Sequence, residues 1–192
     1  MGFDLQRISI GKNWNVVTGC NKYSDGCLNC YAEDDTVEWL KGMRKKLYIQ
    51  HGSNLTMHYN RLNWPLKNLA KNPKRPAKSF VTDMGDLFHA QVPNNFVFKV
   101  FEVMLKVPQH RFYVLTKRTE RLGELGPKLP WRPWMWAGVP VESDKYVHRI
   151  THLKKLPVMF KHWEGRNANS KPALVEGKIW DEYPESLLVN VN

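Results

Sequence analysis

The chain has 192 residues, 42% hydrophobic and 24% charged, which is ordinary globular usage and enough for one domain with a sizeable core rather than two. No apolar run approaches the roughly 20 residues that span a bilayer, and the opening MGFDLQRISIGKNW lacks the regions of a secretory signal, so a cytosolic protein with no membrane contact is expected. With 29 Lys and Arg against 18 Asp and Glu, the formal net charge is +11, which fits either a field that draws polyanions such as nucleic acid or a phosphorylated substrate, or a merely soluble basic surface.

In chain order, WNVVTGC (14–20) reads as a strand, because Val16 and Val17 favour extended backbone and Gly19 permits a turn. YAEDDTVEWLKGMRKKLYI (31–49) reads as a helix with acidic residues first and basic ones last, as the helix dipole prefers. A polar and aromatic connection (50–77) follows, with a short helix in NRLNWPLKNLAKNP and a Pro-broken basic run, KNPKRPAK (71–78). KSFVTDMGD (78–86) is a strand entering a Gly turn. NNFVFKVFEVMLKV (94–107) sets Val97, Val100, Phe101 and Met104 at helical spacing, as a core face.

RFYVLTKR (111–118) is a strand, TERLGEL (119–125) a short helix and WMWAGVPVES (134–143) another strand. SDKYVHRITHLKKL (143–156) restarts a helix with Ser143 or Asp144 as cap, and PVMFKHW (157–163) is the last strand. This alternation predicts a parallel α/β architecture of about five strands (14–19, 79–82, 111–115, 135–140 and 157–160). That number suits a partial barrel or open sheet rather than a closed eight-stranded barrel, with active residues where strands end. Residues 1–163 form the core of a single domain in this reading, and 164–192 an irregular tail.

Every cysteine lies in GCNKYSDGCLNCYAE (19–33): Cys20, Cys27 and Cys30. A disulfide would leave an odd thiol and is not expected in the cytosol. Structural zinc would need a fourth ligand, such as His51, His58 or His89. A 4Fe-4S cluster on three thiolates would leave one iron open to a substrate or cofactor, and the N–H groups of a Gly-containing loop suit its sulfides. Flanking Gly, Ser, Asp and Asn argue against buried free thiols. Spacing leaves iron–sulfur and zinc both open.

Polar residues gather after the strands. Thr116, Lys117 and Arg118 follow one of them; a cation there can hold a carboxylate or phosphate, and a Lys-Arg pair opening a helix opposes its dipole. Glu142 and Ser143 end the next strand and would face the same cavity, with Ser143 as an N-cap the competing role. Lys161 and His162 end the last strand, where surface placement is the simpler reading. Thr82, Asp83, Asp86 and His89 follow the strand in TDMGDLFH, where an Asp capping the next helix is one role. The tryptophans of WRPWMW (131–136) can stack bases, but core packing is the default.

The wording WNVVTGCNKYSDGCLNCYAE resembles the opening of a phage-associated family of radical-SAM-like proteins with a three-cysteine motif, approximately W-N-P-V-T-G-C, Ser-x-G-C, x-N-C-Y-A-E. The likeness continues, in the same order, in FVTDMGDLFHAQVP (80–93), RFYVLTKRTERL (111–122), WAGVPVES (136–143), and PVMFKHWEG with GKIWDEYPE.

This resemblance implies a 4Fe-4S cluster on Cys20, Cys27 and Cys30, S-adenosylmethionine on the open iron, a partial TIM barrel and a deoxyadenosyl radical acting on a substrate. It also implies a host-cytoplasmic location if the protein is phage-encoded. Tyr31, Thr82, Asp83, Asp86, Thr116, Glu142 and Ser143 then fall to cofactor binding, and Lys117, Arg118, His89, Lys161 and His162 to substrate or catalysis. Fold-level likeness to spore photoproduct lyase points to a nucleic acid or nucleotide substrate. Two departures stand out. C-x6-C-x2-C is longer than the usual C-x3-C-x2-C, and RITHLKKL meets PVMFKHW directly, so that about two strand–helix units are missing relative to the family. A partner protein completing the site, or a non-catalytic cluster-bearing module for DNA or a partner, is the corresponding alternative, with a zinc-stabilised nucleic-acid binder as the other.

Overall fold

Short β-branched runs alternating with amphipathic stretches build a parallel sheet with helical crossovers. The computed structural model describes residues 12–28, 30, 32, 54–69, 77–153, 156, 158–163, 174–175 and 178–179. Its elements in order are β1 (Lys12–Trp14), β2 (Val17–Thr18), β3 (Thr56–Met57), α1 (Trp64–Asn68), β4 (Lys78–Val81), α2 (Asn94–Leu105), β5 (Arg111–Leu115), α3 (Thr119–Leu125), β6 (Met135–Val141) and β7 (Val158–Trp163). A 3-10 stretch, Asp144–Leu153, connects β6 towards β7, and β8 (Leu174–Val175) with β9 (Lys178–Ile179) follows. The five-stranded sheet has the order β1-β4-β5-β6-β7, every pair parallel. Among the described residues, no helix is long and apolar enough to cross a membrane.

The core sits between this sheet and α2. Val97, Val100, Phe101 and Met104 are fully buried, as their helical spacing requires, together with Trp14, Val81, Phe112, Val114 and Met135 from the strands. Central β5 buries Phe112, Tyr113 and Val114 in succession, the pattern of a parallel strand covered on both faces. The tryptophans behave as core residues: Trp131 packs edge-on against Phe101 and donates its indole N–H to the Gly126 carbonyl, while Trp134 donates to the Met104 carbonyl.

Three expectations change. The strand foreseen over 14–20 is divided at Asn15. The Val16 N–H bonds the Trp14 carbonyl at 3.1 Å, a tight turn that takes the chain out of the sheet, and Val17–Thr18 pairs instead with β3 in antiparallel fashion. The helix over 143–156 is a 3-10 stretch, in keeping with β-branched Val147, Ile150 and Thr151 and with Arg149 tied back to the Pro140 carbonyl at 2.9 Å. The tail read as irregular contains the antiparallel pair β8–β9, strand formers flanking Glu176 and Gly177. Of the helix expected over 31–49, all but Ala32 lies outside the described residues.

Pro140 has no N–H to give the ladder, and it sits where the β6–β7 register shifts, beyond the last residue that β6 pairs with β5. Its carbonyl is thereby left for Arg149. The carboxyl ends of β4, β5 and β6 carry Thr82, Thr116 and Glu142, the edge at which ligands bind in parallel α/β sheets.

Candidate functional site at the carboxyl edge of the sheet

The cysteine loop is fastened to this edge by backbone first. The Gly19 N–H donates to the Met84 carbonyl at 2.9 Å, and Gly19 and Gly85 form a parallel bridge. Gly19 has φ 78°, open to glycine, and a Cβ on Gly85 would lie 2.9 Å from the Val17 carbonyl oxygen, so close approach needs glycine there. Asn15 accepts the N–H groups of Asp83 and Met84 on its side-chain oxygen, shaping the turn after β4. Thr82 begins that turn at φ 65°, an uncommon conformation for a β-branched residue, and its buried hydroxyl has no hydrogen-bond partner among the described residues.

Side chains then form two clusters, one under each of two cysteines. In the first, Asp86 is buried. Its oxygens accept the Thr116 hydroxyl at 2.8 Å, the Phe88 N–H at 2.8 Å and the Lys117 N–H at 3.4 Å, and the Arg118 guanidinium forms an ion pair with it at 3.7 Å. Burial pushes its pKa up, against the pull of these donors. The expected local turn is real, since Phe88 is two residues on, but it caps no helix. Arg118 reaches from Asp86 to the Cys20 sulfur at 3.7 Å and to the Asn21 side chain at 2.5 Å. The apparent clash of a cation with the α3 dipole is resolved because Arg118 is the N-cap residue and its charge turns to Asp86.

His89 belongs to the same cluster. Its Nδ1 accepts the Gln91 N–H and its Nε2 meets the Asn21 side-chain oxygen at 2.8 Å, so Nε2 carries the proton. Burial, with Arg118 and Arg121 nearby, lowers its pKa below the ordinary value. With both ring nitrogens engaged, His89 offers no lone pair as the fourth ligand of a zinc site, and His58 is held by the Thr18 hydroxyl at 2.8 Å. His51 lies outside the described residues.

In the second cluster, Lys117 stands 3.7 Å from the Cys27 sulfur and 3.0 Å from Glu142. Glu142 also accepts the Ser24 hydroxyl at 2.8 Å and the Arg149 guanidinium at 2.6 Å. The loop rests directly on this carboxylate: a Cβ on Gly26 would come within 2.5 Å of its Oε1. Burial raises the Cys27 pKa, but backbone hydrogen bonds at Tyr23 and Ser24 and the Lys117 charge outweigh it, and the thiol lies below its ordinary value. At Cys20 burial prevails over the Arg118 bond, Asp86 adds to it, and the thiol lies above its ordinary value. Cys20 is nonetheless the exposed one, with Cys27 and Cys30 half-buried.

The expected site residues thus divide. Cys20, Cys27, Asp86, His89, Thr116, Lys117, Arg118 and Glu142 are drawn together. Asp83 accepts a hydrogen bond from the Asn13 side-chain amide at 2.5 Å. Ser143 is exposed, its carbonyl accepting the Tyr146 N–H. Lys161 and His162 lie within β7, their side chains outside the described residues, as is Tyr31. Among the described residues, no three His, Cys, Asp or Glu side chains form a group able to hold a metal ion, so the three sulfurs are not gathered. The donor set still fits a cluster in chemistry: three thiols lie on one loop, two of them with a cation at the sulfur to balance an anionic thiolate cluster.

Reading by residue type overlooked Asn21, Ser24 and Arg149. Arg149 was visible in principle: Tyr146, Ile150 and Leu153 make a buried stripe, and an arginine three residues from Tyr146 lies on that stripe and needs a buried anion.

Set against known proteins, the chain matches one family model, described as "Protein of unknown function (DUF5131)", over residues 8–166. No curated protein and no solved structure matches it.

Proposed function

We propose, for a chain that belongs to the DUF5131 family, that it is a radical-SAM-like iron–sulfur protein acting on a nucleic acid or nucleotide. The observation that carries this reading is the pairing of Lys117 with the Cys27 sulfur and Arg118 with the Cys20 sulfur, on a loop seated over the carboxyl ends of β4, β5 and β6. Cations from the strand ends suit an anionic thiolate cluster. Strand order also supports a partial barrel: β4, β5, β6 and β7 neighbour one another in sequence order, with none of the reversal that marks a doubly wound sheet.

Cys20, Cys27 and Cys30 would hold the cluster. The chemistry such a cluster would supply is a single electron for the sulfonium of S-adenosylmethionine, given an external reductant. The chain's own residues do the positioning. Asp86, its oxygens already engaged by Thr116, Phe88 and Arg118, orients Arg118 at Cys20, and Glu142 orients Lys117 at Cys27. Thr82, whose buried hydroxyl at a strand end has no partner among the described residues, has bonding capacity for a ligand. The basic balance of +11 supports a polyanionic substrate.

Incubating the reduced, anaerobically reconstituted protein with S-adenosylmethionine tests the enzymatic part. Deoxyadenosine above background is the expected product. Iron-loaded protein that yields none, with or without oligonucleotide, is a cluster-bearing binding module instead.

A further inference from the structure

Ser24 opens the 3-10 turn Asp25–Cys27, where a serine hydroxyl by type bonds one of the turn's free N–H groups. Here it makes no such bond, because it is given to Glu142 at 2.8 Å. The Asp25 N–H donates instead to the Tyr146 hydroxyl at 3.1 Å, on the stretch Asp144–Leu153 far along the chain. Tyr146 and Arg149 are three residues apart, and at three residues per turn of 3-10 backbone they share a side. Both are buried, and the Arg149 guanidinium lies 4.2 Å from the Tyr146 ring centroid. The ring thus rests on a guanidinium that Glu142 and the Pro140 carbonyl hold in turn. The neighbouring Lys145–Asp25 ion pair, at 3.4 Å, is exposed on both sides and adds little.

We propose that Tyr146 is a positioning residue for Cys27, its hydroxyl fixing the turn that presents this one sulfur of the three. The turn so fixed holds the Cys27 sulfur 3.7 Å from Lys117 and 3.9 Å from the Ser24 hydroxyl. Cys20 has a support of its own on the β5 side, where Arg118 reaches its sulfur at 3.7 Å and the Asn21 side chain at 2.5 Å. Tyr23 lies between the two supports, its ring centroid 4.7 Å from the Arg118 guanidinium and 6.0 Å from that of Arg149. A change at Arg149 therefore reaches both sides, whereas the Tyr146 hydroxyl acts at the Cys27 turn. This role holds for whichever metal the cysteines take and in the metal-free chain, so it goes beyond the iron–sulfur reading rather than resting on it.

The test measures initial alkylation rates at Cys27 and Cys20 by peptide mass spectrometry, in the reduced, metal-free full chain at neutral pH. Tyr146→Phe keeps the ring beside Arg149 and removes the bond to Asp25. Cys27 should then slow by about two- to tenfold, the range of one ordinary hydrogen bond, because its thiolate is no longer held against Lys117, while Cys20 keeps its rate. Asp25→Pro deletes the N–H itself and suits the extended backbone of Ser24 before it, so in that background Tyr146→Phe should change nothing further. An unchanged or faster Cys27, a loss shared equally by Cys20, or the full loss repeated in Asp25→Pro overturns the role. Iron content of the reconstituted wild type, measured separately, decides the cluster reading and leaves this result as it stands.

Discussion

At Glu142 one carboxylate receives the Ser24 hydroxyl, the Lys117 ammonium and the Arg149 guanidinium, and both Glu142 and Arg149 are nearly inaccessible to solvent. Removing it strands a buried arginine and unseats the cysteine loop, so Glu142→Ala should lower stability by about 3 kcal/mol in urea unfolding. A loss under 1 kcal/mol would mean that the pair is solvated. Burial alone would raise the Glu142 pKa, but Ser24, Lys117 and Arg149 bring it below the ordinary carboxylate value. Its stabilisation is therefore complete above that ordinary value and disappears as pH falls through the depressed one. The gap between wild type and Glu142→Ala should close over that acid window. For the cysteines, alkylation of metal-free protein should reach Cys27 at lower pH than Cys20, and Lys117→Met should move the Cys27 onset upward. An unchanged onset would show that Lys117 does not act on the sulfur.

At the end of β4 the chain stores strain where it meets the cysteine loop. Thr82 is a β-branched residue at φ 65° with an unpartnered buried hydroxyl, so Thr82→Gly should stabilise the metal-free protein by about 1 kcal/mol, strain relief exceeding the entropy that glycine loses. Lower stability would mean that the hydroxyl makes a bond in solution. Gly85→Ala should do the reverse, costing about 1–3 kcal/mol, because its Cβ meets the Val17 carbonyl. Element type was legible wherever local pattern and tertiary demand agreed: the apolar spacing of 94–107 became α2, and RFYVL and TERLGEL became β5 and α3. It failed where a long-range contact decided the outcome. Nothing local in WNVVTGC says that Asn15 will be taken by a turn some seventy residues on, breaking the strand after Trp14. The site was legible as residue types at strand ends; its wiring was not, because Asp86–Arg118 and Glu142–Arg149 are pairings that only the fold creates.

For the whole molecule, a charge of +11 makes a specific claim about nucleic-acid binding: affinity for a single strand should fall with salt at a log–log slope of about −0.7 per phosphate neutralised. Salt-insensitive binding would assign the charge to solubility alone. A sheet wound in one direction among the described strands, β4 to β7, with its cations converging under one loop, is what supports the proposal that the cysteines hold the chemistry. Metal content after anaerobic reconstitution therefore tests the account most directly. Wild-type protein should be brown, with about four irons per chain, and Cys20→Ser, Cys27→Ser and Cys30→Ser should each lose most of that iron while remaining folded. A colourless wild type holding one tightly bound zinc would contradict it.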